Sequence, residues 1–380
     1  MSTSSSPTPS PFAHWMLREI FEQPETFLAT IQHYVADGNF RTVTCAAIIE
    51  WLERVRTKIV IAASGSSRHA GLLAELLIED LSSIPVDVEY ASEYSYRQEK
   101  SLANNAVLVI SQSGETADTL AALRKAKALG NQTLAITNVE GSTMAREATV
   151  FFPTLAGRER AIPATKSFTA QLLNLYLLAL MGALARKTMD AEEIRMRLAE
   201  MEALPSLVEM QLRGWEELIR RIAESYRATK NFLFLGRGVH YPIAREGALK
   251  LKESAYLHAE GYPSGELKHG PNALVSPATP LVMMATVDWA APDSILRYEK
   301  VIHLMREMRR QGAGILAIAN EGDKTVSALA DHTITVAQVR EPLLAICETI
   351  PLQLFSYWMA TNNGVDVDHP RNLTKAVLAE

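Results

Sequence analysis

The chain has 380 residues, a length that suits two domains of ordinary size better than one hydrophobic core. Hydrophobic residues make up 48% and charged residues 21%, as in a globular protein and unlike a disordered one. The formal net charge of −5 argues against nucleic acid or acidic membranes as the main partner. Any phosphate that the protein binds must therefore be held by a local site.

The chain has two cysteines, Cys45 and Cys347, too few for a disulfide framework or a four-cysteine metal site. We therefore expect a reducing, cytoplasmic location and neither a metal nor another cofactor. The Ser- and Pro-rich residues 1–13 lack the pattern of a secretory signal and are interpreted as a disordered tail. The apolar run Leu172–Ala185 is shorter than the roughly 20 residues that span a bilayer, which favours a buried helix and no membrane contact.

Several segments show the strand, small-residue turn and helix order of a doubly wound sheet. The first such unit starts at Lys58–Ser67 and the second at Asn231–His240. Later strand signals also come in pairs, namely those starting at Ala106 and Pro280, Leu134–Thr137 with Leu316–Ala319, and Thr149–Pro153 with Thr333–Ala337.

The paired segments are offset by about 173 residues early and about 182 late, which indicates one α/β unit used twice. Each unit is predicted to be a mainly parallel, flavodoxin-like sheet with helices on both faces. A charged helical stretch separates the copies, with the boundary placed near Pro205. The expected divisions are a tail at 1–13, a helical segment at 14–45, domains at 46–200 and 201–365, and a C-terminal tail at 366–380.

The segment SQSGETADT, Ser111–Thr119, follows a strand and precedes an amphipathic helix. Its side chains include three hydroxyls and an amide, at Ser111, Gln112, Ser113 and Thr116. Gly114 permits a tight turn, and a helix N-terminus presents unpaired N–H groups to an anion. The pattern predicts a phosphate site, with ordinary helix capping by Ser113 as the alternative. Ser66 and Ser67 end the equivalent turn of the first strand and could add hydroxyls to the same ligand.

Glu246, Lys250 and Glu253 are spaced to share one face of a predicted helix, whose pattern runs from Ile243 to Glu260. A solvated salt-bridge stripe would have the same spacing. The segment that follows, Gly261–Pro271, is interpreted as a loop, and its His269 is a candidate general acid or base near neutral pH.

The C-terminal segment Asp366–Glu380 contains one lysine, Lys375, among mostly uncharged neighbours. A lysine beside a carbonyl substrate can form an imine. On these residues alone, a solvated terminal lysine is the simpler interpretation.

Together these segments resemble the isomerase half of glucosamine-6-phosphate synthases, a tandem pair of SIS (sugar isomerase) domains. The resemblance runs from His14 to Glu380. The matching motifs include HWMLREIFEQP, ASGSS, EYASEYSYR, SQSGETADT, ATKSFTAQL, LGRGVHYPIAREGALKLKE, HAEGYPSGELKHGP, ETIPLQL and DVDHPRNLTK.

The resemblance implies a site role for particular residues. Glu253 would move a proton between C1 and C2, Lys250 would stabilise the enediol-type charge, and Lys375 would hold the open-chain ketose as an imine. His269 would open the sugar ring from the neighbouring subunit of a homodimer. Substrate binding is implied for Ser67, Ser111, Gln112, Ser113, Thr116, Ile162 and Ala164, and the C-terminal tail would close the active site.

Two departures from the family pattern bear on the reaction. Only about 13 residues precede the resemblance, so the sequence as printed leads us to expect no glutamine-hydrolysing domain. The family commonly has Ser-Thr-Lys where this chain has Ala164-Thr165-Lys166, which removes a hydroxyl near the sugar.

Three functions remain open. The preferred one is a deaminase that converts glucosamine-6-phosphate and water to fructose-6-phosphate and ammonia. The first alternative is synthesis of glucosamine-6-phosphate from free or partner-supplied ammonia. The second is a non-catalytic phosphosugar sensor, for which Glu253, His269 and Lys375 would be unnecessary.

Overall fold

The structure, a computed structural model, describes residues 8–98 and 102–376. Residues 1–7 of the expected N-terminal tail and residues 377–380 of the C-terminal tail therefore lie outside the described residues. A short antiparallel hairpin, β1 (Val35–Ala36) with β2 (Asn39–Phe40), precedes the two large sheets.

The first large sheet has five parallel strands built from apolar segments of the N-terminal half. They are β3 (Ile59–Ala63), β4 (Val86–Tyr90), β5 (Ala106–Ser111), β6 (Thr133–Thr137) and β7 (Val150–Pro153). Their order across the sheet is β4-β3-β5-β6-β7. Every residue of β3, β5 and β6 is buried, as expected for parallel strands covered by helices on both faces.

The second sheet repeats this topology. Its strands are β8 (Asn231–Gly236), β9 (His258–Pro263), β10 (Leu281–Ala285), β11 (Ile315–Asn320) and β12 (His332–Val336). Their order is β12-β11-β10-β8-β9. As in the first sheet, the strand that comes first in the sequence lies beside the third. The prediction of one doubly wound unit used twice is confirmed.

The helices cover both sheets and connect them. They are α1 (Trp15–Phe21), α2 (Gln23–Tyr34), α3 (Thr42–Arg54), α4 (Gly65–Ser82), α5 (Ala91–Tyr94), α6 (Ala117–Ala128), α7 (Thr143–Glu147), α8 (Lys166–Arg186), α9 (Ala191–Ser225), α10 (His240–Ala255), α11 (Pro292–Arg310), α12 (Lys324–Leu329) and α13 (Glu341–Asn362). Pro205, near which the boundary was placed, lies inside α9, a continuous 35-residue helix that leads from α8 to the first strand of the second sheet.

Two helices, α8 and α13, are long and apolar enough to cross a membrane by length and composition. Inside this fold, 89% and 94% of their apolar windows are buried. Both are therefore core helices, as was expected for Leu172–Ala185.

Two sequence interpretations are corrected by the second sheet. The helical pattern drawn through His258 is wrong there, because α10 ends at Ala255 and Tyr256 takes a left-handed conformation (φ 57°). Gly261, assigned to a loop, lies in β9, and a Cβ there would come within 2.6 Å of the Arg245 Cα. The glycine thus permits β9 to pack closely against α10, a contact between segments that no local pattern reports.

Candidate active site

A cavity of about 290 Å3 opens at the C-terminal ends of β3 and β5, the switch point of the first sheet. Residues of the second domain and of the C-terminal tail complete its wall. The sequence-predicted residues that line it are Ser67, Ser111, Gln112, Ser113, Thr116, Ile162, Ala164, Lys250, Glu253 and Lys375. Segments far apart in the sequence thus meet at one place.

The turn between β5 and α6 forms a cradle of hydroxyls. The Ser111 Oγ lies 3.0 Å from the Thr116 Oγ1 and accepts a hydrogen bond from the Gly114 N–H at 3.1 Å. Gly114 has φ 67°, and a Cβ there would lie 2.2 Å from the Ser142 Oγ, so a side chain has no room. Helix α6 begins at Ala117 without a side-chain cap. The alternative interpretation, that Ser113 caps this helix, is therefore wrong. The first N–H groups of α6 are open to an anion.

Thr119, which the sequence interpretation did not single out, also lines the cavity from the first turn of α6. Its Oγ1 is buried and has no hydrogen-bond partner among the described residues. A buried hydroxyl without a partner is uncommon, and a ligand in the cavity could supply one. The turn thus offers several polar groups to a phosphate.

Lys250 lies between two carboxylates on one face of α10. Its Nζ is 2.6 Å from the Glu253 Oε2 and 3.3 Å from the Glu246 Oε1, although the lysine is only 1% exposed. Burial alone would lower the pKa of Lys250, but the two carboxylates outweigh it and raise the pKa. The stripe is therefore a buried charge cluster facing the cavity and not a solvated surface pair.

Glu246 connects this cluster to the first domain. It accepts hydrogen bonds from the Ser66 Oγ at 2.8 Å and pairs with the His69 Nδ1 at 2.8 Å. Burial opposes its charge, but Lys250, His69 and Ser66 together lower the pKa of Glu246. The two domains are thus joined by ionic hydrogen bonds directly behind the cavity.

Lys375 reaches the cavity from the C-terminal tail. Its Nζ is 2.5 Å from the Glu159 Oε2 and 2.6 Å from the Ala161 carbonyl oxygen. The tail is held in place by Asp368, whose carboxylate accepts the Trp15 N–H at 2.8 Å, and whose carbonyl oxygen accepts the Ile162 N–H at 3.0 Å. Lys375 is therefore an ordered, partly buried residue, and the interpretation as a solvated terminal lysine is wrong.

Glu159 is a site residue that sequence reasoning missed. Its side chain is fully buried, and it accepts hydrogen bonds from the Thr165 N–H, the Ser167 N–H and the Ser167 Oγ as well as from Lys375. Burial would raise the pKa of Glu159, but these partners lower it to about 2. No local signal identifies this residue, because its lysine partner is 216 residues away.

His269 does not line the cavity of its own chain. It ends the 3-10 helix Glu266–His269 after β9 and is exposed. Of the predicted site residues, it alone is not brought to the cavity.

The second sheet carries a buried charge cluster at its switch point, where β8 leads into α10. His240, at the start of α10, is buried, with its Nδ1 2.9 Å from the Glu348 Oε2 and its Nε2 3.4 Å from the Glu341 Oε1. Burial opposes the charge of His240, but the two glutamates raise its pKa to about 10. A charge cluster thus fills the position that the cavity occupies in the first domain.

Neither cysteine of the chain lies at the cavity. Cys45 and Cys347 are both free and buried, and burial raises the pKa of Cys347 to about 12. Within residues 8–98 and 102–376, no group of three or more His, Cys, Asp or Glu residues is arranged to hold a metal ion.

Comparison with known proteins identifies the family. The SIS domain model matches residues 52–181 and 225–363. The chain is 44% identical over 372 residues to a glutamine–fructose-6-phosphate aminotransferase [isomerizing] of Chlorobaculum tepidum, and 40% identical over 370 residues to one of Clostridium acetobutylicum. These matches cover 97% of this chain and 59% of each relative, so the chain spans less than two thirds of their length.

Solved structures show the same fold. The C-terminal domain of glucosamine-fructose-6-phosphate aminotransferase from Francisella tularensis superposes with a TM-score of 0.87 at 36% identity, covering 96% of this chain and all of that one. A glucosamine-6-phosphate deaminase from Thermotoga maritima superposes with a TM-score of 0.69 at 23% identity, covering 96% of this chain and 99% of that one, which shows a shared fold only. The chain therefore belongs to the SIS domain family and is an enzyme of that family.

Proposed function

We propose that this protein is a phosphosugar isomerase that deaminates glucosamine-6-phosphate, giving fructose-6-phosphate and ammonia. One observation carries the proposal: a hydroxyl cradle suited to phosphate, the Lys250–Glu253 pair and the amine of Lys375 line a single cavity. Aldose–ketose chemistry requires these three kinds of group together, namely an anchor, a proton-moving carboxylate beside a cation, and an amine that can hold a ketose carbon.

The cradle would hold the substrate phosphate through Ser111, Ser113 and Thr116, with Gln112 beside them and the N-terminus of α6 facing the anion. Ser67, Ile162 and Ala164 would contact the sugar. This anchor fixes the distance of C1 and C2 from the reacting groups, which is the main benefit of binding a substrate through a part that does not react.

Glu253 would then move a proton between C2 and C1 while Lys250 stabilises the negative charge that develops on the sugar oxygen. Transfer of the C2 proton converts the amino-aldose to a C2 imine. Water adds to that carbon, and the C–N bond breaks to release ammonia and the ketose. When the reaction runs in the opposite direction, from fructose-6-phosphate, Lys375 would hold the open-chain ketose as an imine at C2.

Ring opening is assigned to His269 of a second copy. His269 is exposed and does not line the cavity of its own chain, as expected of a residue donated across a homodimer. The free cysteines fit a reducing, cytoplasmic location.

Synthesis of glucosamine-6-phosphate is the second candidate, favoured by the 44% identity to an aminotransferase across 97% of this chain. The same groups would catalyse it, with ammonia adding to C2. The two buried cysteines are poor nucleophiles for cleaving a glutamine amide, so the nitrogen would be free ammonia or would come from a separate glutamine-hydrolysing unit.

The test measures both products. The purified 380-residue chain is incubated with glucosamine-6-phosphate while ammonia and fructose-6-phosphate are followed, and separately with fructose-6-phosphate plus glutamine or plus ammonium. We expect equal amounts of ammonia and ketose from the first mixture and no amino sugar from glutamine. Amino sugar formed from ammonium, with no deamination, would favour synthesis, and no reaction in any mixture would refute the proposal.

A variant pair ties the imine chemistry to the cavity. Lys375→Arg keeps the charge but cannot form an imine, so the adduct with fructose-6-phosphate that borohydride traps in the wild type should be absent. Lys252→Arg changes an exposed lysine on α10 and is the matched control, expected to behave as wild type.

A further inference from the structure

Lys375 is held by a carboxylate that is out of reach of solvent. The Glu159 side chain is fully buried, whereas that of Lys375 is 27% exposed, and the two are joined at 2.5 Å. The Ala161 carbonyl oxygen at 2.6 Å and the Ile162 carbonyl oxygen at 3.5 Å complete the contacts of the amine. All three contacts are made by acceptor oxygens, and an amine can attack a carbonyl only after it has given up the proton that such an acceptor binds.

A second carboxylate lies behind the first. Glu19 of α1 is 1% exposed and accepts the N–H groups of Arg160 and Ala161, the residues that follow Glu159. Burial and the charge of Glu159 raise the pKa of Glu19 to about 8. At neutral pH Glu19 is therefore largely protonated, whereas Glu159, whose pKa is lowered to about 2, carries the negative charge beside Lys375.

Other charged groups around this pair are already occupied. The Lys166 Nζ is 2.7 Å from the Glu22 Oε2, and the Asp368 carboxylate accepts the N–H groups of Trp15 and Met16. Lys375 is therefore the cation that Glu159 contacts directly, and Glu159 is the carboxylate that Lys375 contacts.

We propose, on the basis of the function proposed above, that Glu159 is a positioning residue for Lys375: it holds the ammonium at the cavity wall and accepts the proton that the lysine must lose to form an imine. Binding of the sugar beside Ile162 and Ala164 brings the ketose carbonyl to the amine. The buried carboxylate provides a local acceptor where bulk water has little access.

The step balances within the site. The ammonium of Lys375 transfers one proton to the Glu159 carboxylate that it contacts, and the neutral amine forms a bond to C2 of the ketose. Burial by itself raises the pKa of Glu159, and loss of the lysine charge removes the main influence that lowers it, so the carboxylate becomes a stronger base as the proton moves. A nitrogen proton moves to the C2 oxygen, and Glu159 returns the borrowed proton to that oxygen. The C2–O bond then breaks, water leaves with two protons, and the protonated imine keeps the positive charge that the ammonium brought.

The experiment follows imine formation against pH. Fructose-6-phosphate is added to the enzyme between pH 5 and 10, the imine is reduced with borohydride, and the adduct at Lys375 is measured by mass spectrometry. In Glu159→Gln the negative charge beside the amine is gone, so we expect the pH midpoint of trapping to fall below that of the wild type. The maximal trapping rate should fall at least tenfold, because the local proton acceptor is also gone.

Two further variants complete the test. Glu22→Gln removes a carboxylate from the same cluster without touching Lys375 and should leave the pH midpoint unchanged. Glu159→Asp keeps the charge one methylene farther from the amine, so its pH midpoint of trapping should fall less than that of Glu159→Gln. This variant provides the test if Glu159→Gln does not fold. A merely structural role would scale trapping equally at every pH, and an unchanged midpoint in either Glu159 variant would overturn the proposal.

The outcomes separate this inference from the proposed function. If wild-type enzyme forms no reducible adduct at Lys375, the proposed imine chemistry itself fails. If the wild type forms the adduct and the Glu159 variants keep its pH midpoint, only the role of Glu159 fails.

Discussion

Replacing Glu253 with glutamine tests whether this carboxylate moves the proton between C1 and C2. The Glu253 Oε2 accepts a hydrogen bond from the Lys250 Nζ at 2.6 Å, and the buried lysine has Glu246 as a second partner at 3.3 Å. Glutamine keeps an oxygen for Lys250 and nearly the same shape, so the fold and the phosphate cradle should persist. What is lost is the ability to take a proton.

A positioned base contributes about 10²–10⁴ in rate, which is about 2.7–5.4 kcal/mol of activation free energy. We therefore expect Glu253→Gln to release ammonia from glucosamine-6-phosphate at about 10²–10⁴-fold lower kcat. Trapping of the fructose-6-phosphate imine at Lys375 should persist, because that step does not use Glu253. The exposed Glu209 on α9 supplies a matched control, Glu209→Gln, expected to be fully active.

Two results would refute this reasoning. Wild-type turnover in Glu253→Gln would mean that another group moves the proton. If the variant loses both imine trapping and turnover, substrate binding is damaged. The lower rate would then say nothing about proton transfer.

Three other predictions test the cradle, the ring-opening step and the charge cluster of the second domain. Ser111→Ala with Thr116→Ala removes two hydroxyls worth about 1.5–3 kcal/mol each to a charged ligand, so KM should rise at least tenfold, and an unchanged KM would place the phosphate elsewhere. His269→Asn should slow the cyclic substrate more than an open-chain analogue, and mixing it with the Glu253→Gln variant should restore partial activity if the histidine crosses a dimer interface; equal slowing of both substrates would exclude ring opening as its role. His240→Gln removes one partner of a buried ion pair and should lower the free energy of unfolding by about 3–5 kcal/mol near pH 6. Because the pKa of His240 is raised to about 10, its stabilisation is complete below its ordinary value near 6.5 and is lost as the pH rises through 10. The difference between variant and wild type in urea unfolding should therefore shrink across that range, and a constant difference would contradict the assignment.

The sequence by itself determined the repeated fold and the place of the hydroxyl cradle. The strands that it revealed, such as Ile59–Ala63 and Ala106–Ser111, are continuous apolar runs that end in small polar residues. These signals are local, because a buried parallel strand must be apolar along its whole length and a turn to a helix needs glycine and hydroxyl residues. The family motifs likewise brought Glu253, Lys250 and Lys375 to attention, although the residues alone left salt-bridge and solvent-exposed alternatives open.

The tertiary structure decided which of those alternatives holds. Whether Lys375 is solvated or ordered depends on Glu159, 216 residues earlier, and whether Lys250 is a surface residue depends on the packing of α10 against the first domain. The strand β9 and the carboxylate of Glu19 were likewise missed. Their roles come from burial and from partners distant in the sequence. Neither can be read from the residues next to them in the chain. Charge clusters in this protein are thus set by long-range packing, whereas its strands and turns are set by local composition.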